Sequence, residues 1–251
     1  MGTGAITSYF DVAQLVLYMF WAFFAGLIYY LVRENHREGY PMDHDGSATI
    51  TGWPVPEPKT FKLADGEEVV VPNLAPSPQV LKAEPANRYA GAPLVPTGNP
   101  MLDGVGPGAW AERADRPDRN ADGHAKIVPL RQVEDFAVCA GDTDPRGLDV
   151  VGADGEIGGT VVELWLDTAE TLFRYLELKL AGSERSVLLP MNFARVKSDR
   201  VVVKAILGHQ FAEVPGTKQP DMVTMLEEEK IMAYYGGGTL YAEPERQEPL
   251  V

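Results

Sequence analysis

The sequence contains a single cysteine, Cys139, so it cannot form an internal disulfide. A lone thiol is typical of a reducing compartment and favours a cytoplasmic location for the segment that carries it. Basic residues are also scarce, with 22 Lys and Arg against 36 Asp and Glu, for a formal net charge of −14. A nucleic acid partner requires a basic surface, and this charge balance argues against one.

Familiar catalytic signatures are missing as well. The sequence has no HExxH, CxxC, GxSxG or P-loop motif, and no GxGxxG lies between a strand and a helix. The three glycines at 236–238 follow a predicted helix and do not open one, so we interpret them as a flexible stop and not as a phosphate-binding loop. An ordinary hydrolase, kinase or dehydrogenase is therefore disfavoured.

Charge is absent from residue 12 to residue 32, where Gln14 is the one strongly polar side chain. About 21 helical residues extend over roughly 31 Å at ~1.5 Å each, which matches the hydrocarbon core of a bilayer. A core helix would have a polar face, and a signal peptide would begin with basic residues, which residues 1–10 lack. The segment predicts one uncleaved transmembrane helix, with aromatic residues suited to its two interfaces: Tyr18, Trp21, Tyr29 and Tyr30.

The flanks of this helix predict its orientation. Asp11 precedes it, whereas Arg33, His36 and Arg37 follow it. Positive charge is retained on the cytoplasmic side of a membrane. The sequence therefore predicts an outward-facing tail (1–11), a transmembrane helix (12–32) and a cytoplasmic remainder.

Proline dominates the next part of the chain, since fourteen of the twenty prolines lie in residues 41–129. Proline interrupts helices and central strands, so disorder is one interpretation. Scattered large apolar residues favour another, in which an extended segment becomes ordered by lying on another surface. Within it, KLADGEEVVVP at 62–72 fits a small hairpin with Asp-Gly at its turn.

Short β-branched or alternating runs separated by turn residues begin at about residue 131: FAVCA, DVVGADGEIGGTVVELWLD, FRYLELKL, SVLLP and ARVKSDRVVVKAI. This spacing predicts a mostly antiparallel sheet of five or six strands curled on itself. The cytoplasmic remainder is thus divided into an extended proline-rich segment (33–130) and a mainly-β domain with a C-terminal helix (131–251).

The C-terminal helix is predicted over residues 224–238. Thr224 and Glu227 have the spacing of a capping box, and Gly236 can provide the left-handed stop. The glutamates at 227–229 fall in the first turn, where the helix dipole favours them, so a structural role is sufficient for them.

Several ionisable residues remain as candidate site residues, without a nucleophile among them. Asp122 and His124 lie in RNADGHAKIVP, and Asp167 and Glu170 lie in WLDTAE, where a strand ends and a turn begins. Arg174 follows Glu170 at a spacing that permits an ion pair. Judged from the residues alone, solvated surface positions account for these side chains equally well.

The chain resembles the H subunit of purple-bacterial photosynthetic reaction centres. The match is weakest from about residue 64 to residue 92. The resemblance implies a single-pass protein of the bacterial inner (photosynthetic) membrane, with a periplasmic N-terminus and a cytoplasmic PRC-barrel-like antiparallel barrel. The matching stretches follow the family's order along the chain: FWAFFAGLIYYL, REGYP, EPKTF, PTGNPMLDGVGPGAW, DGHAKIVP, TVVELWLD, FRYLELKL, LLPMNFARV and EEEKIMAYYGGGTLYA.

The resemblance also implies partners and cofactors. An H subunit caps the cytoplasmic face of the pigment-bearing L and M subunits, on which the proline-rich segment is expected to pack. Antenna polypeptides and membrane lipids are further candidate partners. The chain is not expected to be an enzyme or to bind a cofactor or metal by itself. Bacteriochlorophyll, bacteriopheophytin, quinones and non-haem iron are expected on the partner subunits.

A proton-transfer role follows from the same resemblance. A quinone that takes two electrons must also take two protons, which arrive along carboxylates and imidazoles in a site that excludes bulk water. The resemblance implies that Glu170 is the inner carboxylate near the secondary quinone, with Asp167 as its neighbour and Arg174 as a tuning residue. It implies that Asp122 and His124 form the surface loop that collects protons.

Two further expectations concern this site. Burial and like charges are expected to raise the pKa of its carboxyl groups toward neutrality. Some family members have a second histidine where this chain has Asp122, so weaker binding of divalent metal is expected at the loop.

Two other function classes are alternatives to a reaction-centre subunit. A membrane-tethered PRC-barrel module could bind a soluble protein or an RNA, although the acidic balance disfavours RNA. An anchored enzyme is disfavoured by the missing motifs. Co-purification with pigment and multi-span subunits distinguishes the reaction-centre subunit from both.

Overall fold

The computed structural model describes residues 4–6, 11–37, 43–44, 47–50, 56–64, 66–72, 80–89 and 91–247. The chain forms two compact units, residues 1–79 and residues 80–251. Most of the predicted tail (1–11), Asp65 of the predicted hairpin turn and the last four residues of the chain lie outside the described residues.

The first unit contains one long apolar helix, α1 (Val12–Asn35), which covers the predicted span and continues for about one further turn. The Oδ1 atom of Asp11 caps it by accepting the amide of Gln14 at 2.7 Å. No residue of α1 is buried, and it is the one helix among the described residues that is long and apolar enough to cross a membrane. A helix that is apolar on all sides requires a non-aqueous environment.

Two short hairpins complete the described part of this unit. Phe61 pairs with Val69 across the second hairpin, which confirms the hairpin predicted from KLADGEEVVVP. The strands are β1 (Asp43–His44), β2 (Ser47–Ile50), β3 (Lys59–Lys62) and β4 (Glu68–Val71).

The second unit contains a small hairpin and a seven-stranded sheet. The hairpin consists of β5 (Ala83–Pro85) and β6 (Leu94–Pro96). The strands of the sheet are β7 (Ile127–Pro129), β8 (Asp149–Val151), β9 (Ile157–Asp167), β10 (Leu172–Leu180), β11 (Ser186–Pro190), β12 (Ala194–Val196) and β13 (Arg200–Val203).

The sheet is a curled half-barrel in the order β11-β10-β9-β8-β13-β12, and β7 pairs with the end of β9. The pairs are antiparallel except β8 with β13, which are parallel. The mainly-β fold with a C-terminal helix is confirmed, but the sheet has seven strands, not five or six. The additional strand, β7, lies just before residue 131.

Alternation along the strands places the core. Leu176, Leu178 and Leu180 of β10 share one face and are buried, as their spacing predicts. They pack in one apolar cluster with Trp165 of β9 and Tyr234 from the C-terminal helix.

The run FAVCA was expected to be a strand, and this prediction is wrong. Residues 136–140 have no strand structure. Alternation alone does not make a strand, because the backbone also needs a partner strand, and no strand of the sheet pairs with residues 136–140.

The C-terminal helix, α2 (Met225–Tyr241), begins where the sequence predicts. The Thr224 hydroxyl accepts the amide of Glu227 at 3.1 Å, and the Glu227 carboxylate accepts the amide of Thr224 at 2.9 Å. These two bonds form the predicted capping box.

The predicted stop at Gly236 is wrong, because α2 continues through the three glycines. A Cβ atom at Gly236 would lie 2.6 Å from the carbonyl oxygen of Pro107, and one at Gly238 would lie 2.4 Å from Cγ2 of Ile206. The glycines therefore allow close packing of α2 against its neighbours.

Part of the proline-rich segment lies on α2 and is ordered there. The Lys230 amine lies 4.8 Å from the centre of the Trp110 ring, and Asp115 binds both Lys218 and the cap residue Thr224. This portion is ordered by the chain's own helix. Packing of the segment on partner subunits stays a prediction.

Candidate functional site

A cleft of about 770 Å³ lies beside the β9–β10 turn, and two of the five candidate residues, Asp167 and Arg174, line it. We call it the β9–β10 cleft. Its lining residues are Arg113, Asp118, Lys126, Ile127, Asp167, Leu172, Phe173, Arg174, Tyr175, Pro190, Met191, Asn192, Glu228, Glu229 and Met232.

Asp167 organises the turn that follows β9. Its Oδ1 atom accepts the backbone amides of Ala169 and Glu170, each at 3.0 Å. The next residue, Thr171, has a positive φ of 54°, which reverses the chain into β10. Turn carboxylates are commonly solvated, but Asp167 is fully buried.

Two cations hold the second oxygen of Asp167. Arg174 donates from Nε to Oδ2 at 3.1 Å, and Lys126 Nζ lies 3.5 Å from the same atom. Lys126 precedes β7 and Arg174 belongs to β10, so the pairing of both strands with β9 brings the cations together.

Glu170 shares both of these cations. Its Oε2 atom lies 3.0 Å from Arg174 Nη2, which is the ion pair that their spacing allows, and its Oε1 atom lies 3.3 Å from Lys126 Nζ. The Glu170 side chain is about half exposed, at 49%. Asp167 and Glu170 therefore form one cluster with Arg174 and Lys126, in which one carboxylate is buried and the other is open.

The pKa of Asp167 does not move in the expected direction. Burial by itself raises it, but the amides of Glu170 and Ala169, together with the Arg174 guanidinium and the Lys126 amine, hold the pKa of Asp167 below its usual range. The expectation of a raised pKa is wrong at this residue, because its hydrogen bonds and cations outweigh its desolvation. Asp167 is therefore ionised at neutral pH.

Glu228 on α2 also lines the cleft, although it was not among the candidates. The Tyr175 hydroxyl donates to Glu228 Oε2 at 2.8 Å. Burial raises the pKa of Glu228 in spite of this bond, and it also raises the pKa of Tyr175, which stays a donor at neutral pH. The sequence placed Glu228 in a run of three glutamates at a helix start. Nothing in that run distinguishes Glu228 and Glu229, which line the cleft, from Glu227, which does not.

Asp122 and His124 lie in an exposed turn. Asn120 Oδ1 accepts the backbone amides of both residues, at 3.1 Å and 3.0 Å. The Lys126 amide donates to the carbonyl of Asp118 at 2.8 Å and closes the base of the turn. Asp118 and Lys126, which close the turn, both line the cleft, so the turn begins and ends at the cleft.

Lys126 is the other residue that sequence analysis missed. It lies in the quoted stretch DGHAKIVP, but its proximity to Asp167 depends on the pairing of β7 with β9. Burial lowers the pKa of Lys126, but Glu170 and Asp167 reverse this and raise it above its usual range. Among the described residues, no three His, Cys, Asp or Glu side chains are grouped as metal ligands.

Two family models match the chain. The model described as "Photosynthetic reaction centre, H-chain N-terminal region" matches residues 4–132, which is half of the chain. The model described as "PRC-barrel domain" matches residues 140–210. The first match contains the turn with Asp122 and His124, and the second contains the β9–β10 turn. The cleft is thus built from both matched regions.

Proposed function

Because the chain belongs to the photosynthetic reaction centre H-chain family, we propose that it caps the cytoplasmic face of the L and M subunits and conducts protons to the secondary quinone. In this proposal the chain is a structural subunit without enzymatic activity. Pigments, quinones and non-haem iron are held by the partner subunits and supply the electron-transfer chemistry.

The features of α1 support a single-pass anchor in the bacterial photosynthetic membrane. The helix is uncharged from residue 12 to residue 32, and none of its residues is buried. Its first residue follows Asp11, whereas Arg33 and Arg37 lie at the other end. The positive-inside rule then puts the N-terminus in the periplasm and the remaining chain in the cytoplasm.

The observation that carries the proton-transfer proposal is the connection between the exposed turn and the inner carboxylates. Asp122 and His124 lie on a turn whose closing residues, Asp118 and Lys126, line the same cleft as Asp167, and Lys126 Nζ lies 3.3 Å from Glu170 Oε1. Proton transfer requires acceptor and donor groups that are in contact or joined by single waters. The cleft has room for such waters between these polar groups.

The carboxylates of the cleft are suited to different roles. Asp167 stays ionised and acts as a fixed charge that positions Lys126 and Arg174. Glu170 is exposed enough to exchange protons with water, and burial raises the pKa of Glu228, which favours its protonated form. We assign proton exchange to Glu170 and Glu228, and positioning to Asp167.

Apolar side chains also line the cleft, among them Leu172, Phe173 and Met232. A partner surface packed over them would exclude bulk water, which lowers the local dielectric and prevents uncontrolled protonation. Capping and proton conduction are thus two consequences of the same contact.

Replacing Glu170 with Gln in the assembled complex tests the proposal. Proton uptake coupled to the second electron should slow by about an order of magnitude or more, because the amide cannot accept and release a proton. Primary charge separation should be unchanged. Flash-induced absorbance and pH-indicator kinetics measure both steps.

Glu184→Gln provides a matched control, since Glu184 is 94% exposed and pairs with Lys179 at 2.9 Å outside the cleft. It should leave both steps unchanged. An unaltered second-electron step in Glu170→Gln would remove this residue from the route. Purification of the chain as a colourless protein without multi-span subunits would instead favour a membrane-tethered binding module.

A further inference from the structure

The β3–β4 hairpin has one exposed apolar face. Phe61 and Val69 lie directly opposite each other, and Leu63 continues the same face two residues beyond Phe61. The exposed fractions of these three residues are 45%, 40% and 37%. We call Phe61, Val69 and Leu63 the apolar face of the hairpin.

The other face is mainly polar. Lys62 and Glu68 are directly opposite and form an ion pair of 3.6 Å, with both side chains largely exposed. Thr60 shares this face, and Val70 is its one apolar member. The hairpin is thus amphipathic, although it has only two strands and no core of its own among the described residues.

A buried arginine attaches this hairpin to the end of α1. Arg37 lies two residues after the helix and donates to the carbonyl oxygens of Glu57 and Val71, at the base of the hairpin. Its guanidinium also binds Glu34 in the last turn of α1, with Nε 2.8 Å from Oε2. The base of the hairpin is therefore fixed beside the end of the helix.

A second ion pair defines which face turns toward the helix. Lys59 Nζ lies 2.8 Å from Glu34 Oε2. Lys59 is two residues before Phe61, so it belongs to the same side of β3 as the apolar face. The apolar face is therefore on the side of the hairpin that is nearer to α1, whereas Lys62 and Glu68 are on the opposite side.

We propose that the β3–β4 hairpin lies on the bilayer surface, with its apolar face in the boundary between lipid headgroups and acyl chains. This inference depends on the proposed span of α1, because the span places Glu34 and Arg37 at the membrane interface. An amphipathic helix at an interface buries its apolar side by about 5–10 Å, and the same burial of apolar area favours this placement of an amphipathic hairpin. Lipid is therefore expected to cover this face, because the contacts of Arg37 and Lys59 keep it beside the membrane-spanning helix.

Spin labels on the full chain test this placement. Replacing Cys139, the one cysteine of the sequence, with Ser gives a background for single labels. Labels are placed at Phe61→Cys on the apolar face, Thr60→Cys on the polar face and Phe23→Cys within α1. The chain is reconstituted in phosphatidylcholine–phosphatidylglycerol nanodiscs, alone and assembled in the reaction-centre complex. Power saturation then measures accessibility to oxygen and to a water-soluble nickel chelate.

We expect the ratio of oxygen to nickel accessibility at Phe61→Cys to be several-fold higher than at Thr60→Cys. It should approach the ratio at Phe23→Cys. Val69→Cys and Val70→Cys provide an independent pair on the partner strand, with the same expected order. Agreement between the pairs guards against a local disturbance by one label.

The outcomes separate this inference from the proposed function. A low ratio at Phe23→Cys would overturn the membrane span itself. A high ratio there, with equal ratios at Phe61→Cys and Thr60→Cys, would overturn the hairpin placement and leave the span intact. Protection of Phe61→Cys from both reagents in the assembled complex would show that protein covers the face, and would also overturn it.

Discussion

The Tyr175 hydroxyl donates a 2.8 Å hydrogen bond to the Glu228 carboxylate, and this bond connects β10 with α2 inside the β9–β10 cleft. Burial raises the pKa of Glu228, while the pKa of Asp167 in the same cleft is held low by its amides and cations. Carboxyl groups whose pKa values are shifted in opposite directions can take different roles in a proton path. Asp167 provides a fixed negative charge, whereas burial favours the protonated form of Glu228.

Glu228→Gln should therefore slow the proton-coupled second-electron step, by about an order of magnitude if Glu228 is in series with Glu170. Tyr175→Phe should shift the pH midpoint of the same step upward, because loss of a donor to the carboxylate raises its pKa further. Flash kinetics recorded as a function of pH measure both effects. Unchanged profiles in both variants would restrict Glu228 to a structural role.

Asp167→Asn should destabilise the second unit by about 1–3 kcal/mol, since a buried acceptor of two amides and two cations loses its charge. Lys126 and Arg174 are partly exposed, which limits the loss. Urea unfolding of the detergent-solubilised chain, followed by circular dichroism, measures the change. Asp199→Asn, which alters an exposed pair with Arg200, should leave the free energy of unfolding essentially unchanged.

The loss of stability caused by Asp167→Asn should also depend on pH. Because the pKa of Asp167 is lower in the folded state, its contribution is fully present above the unfolded value of about 3.9. It is lost as pH falls through the lower folded value. The stability difference between the two proteins should therefore be constant from about pH 5 to pH 7 and shrink below about pH 4. A difference that grows on acidification would contradict the lowered pKa.

Gly238→Ala should destabilise the protein by about 1–3 kcal/mol, because the new methyl group has no space beside Ile206 and the carbonyl of Ala205. Gly141→Ala is the matched control, since no atom lies within 4 Å of the Cβ position there. It should change stability by less than about 0.5 kcal/mol. Thermal unfolding of both variants checks the comparison, and equal midpoints would argue against close packing of α2.

Deletion of residues 1–33 should impair assembly more than folding. The apolar core lies in the second unit, whereas the deleted residues include most of α1. The shortened chain should be soluble, retain its β-type circular dichroism and fail to co-purify with membranes. An insoluble or unfolded product would contradict the separation of anchor and folded domain.

Local patterns in the sequence were sufficient for several elements. The uncharged run predicted α1, leucine alternation predicted β10, and the spacing of Thr224 and Glu227 predicted the start of α2. Each of these patterns is formed by residues that are close together in the sequence. Gly236 was misjudged for the opposite reason, because the atoms that explain it belong to the distant Pro107.

The sequence alone determined that the chain has one bilayer-length apolar helix and a mainly-β domain, because length and periodicity are properties of consecutive residues. It also placed Asp167 and Glu170 where a strand ends and a turn begins, with Arg174 four residues after Glu170. Only the tertiary structure brought Lys126 into contact with Asp167 and Glu170, placed Glu228 in the same cleft as Asp167 and buried Asp167, since strand pairing and helix packing join residues far apart in the chain. Desolvation and charge proximity depend on those long-range contacts, so the opposite pKa directions of Asp167 and Glu228 were decided by the fold.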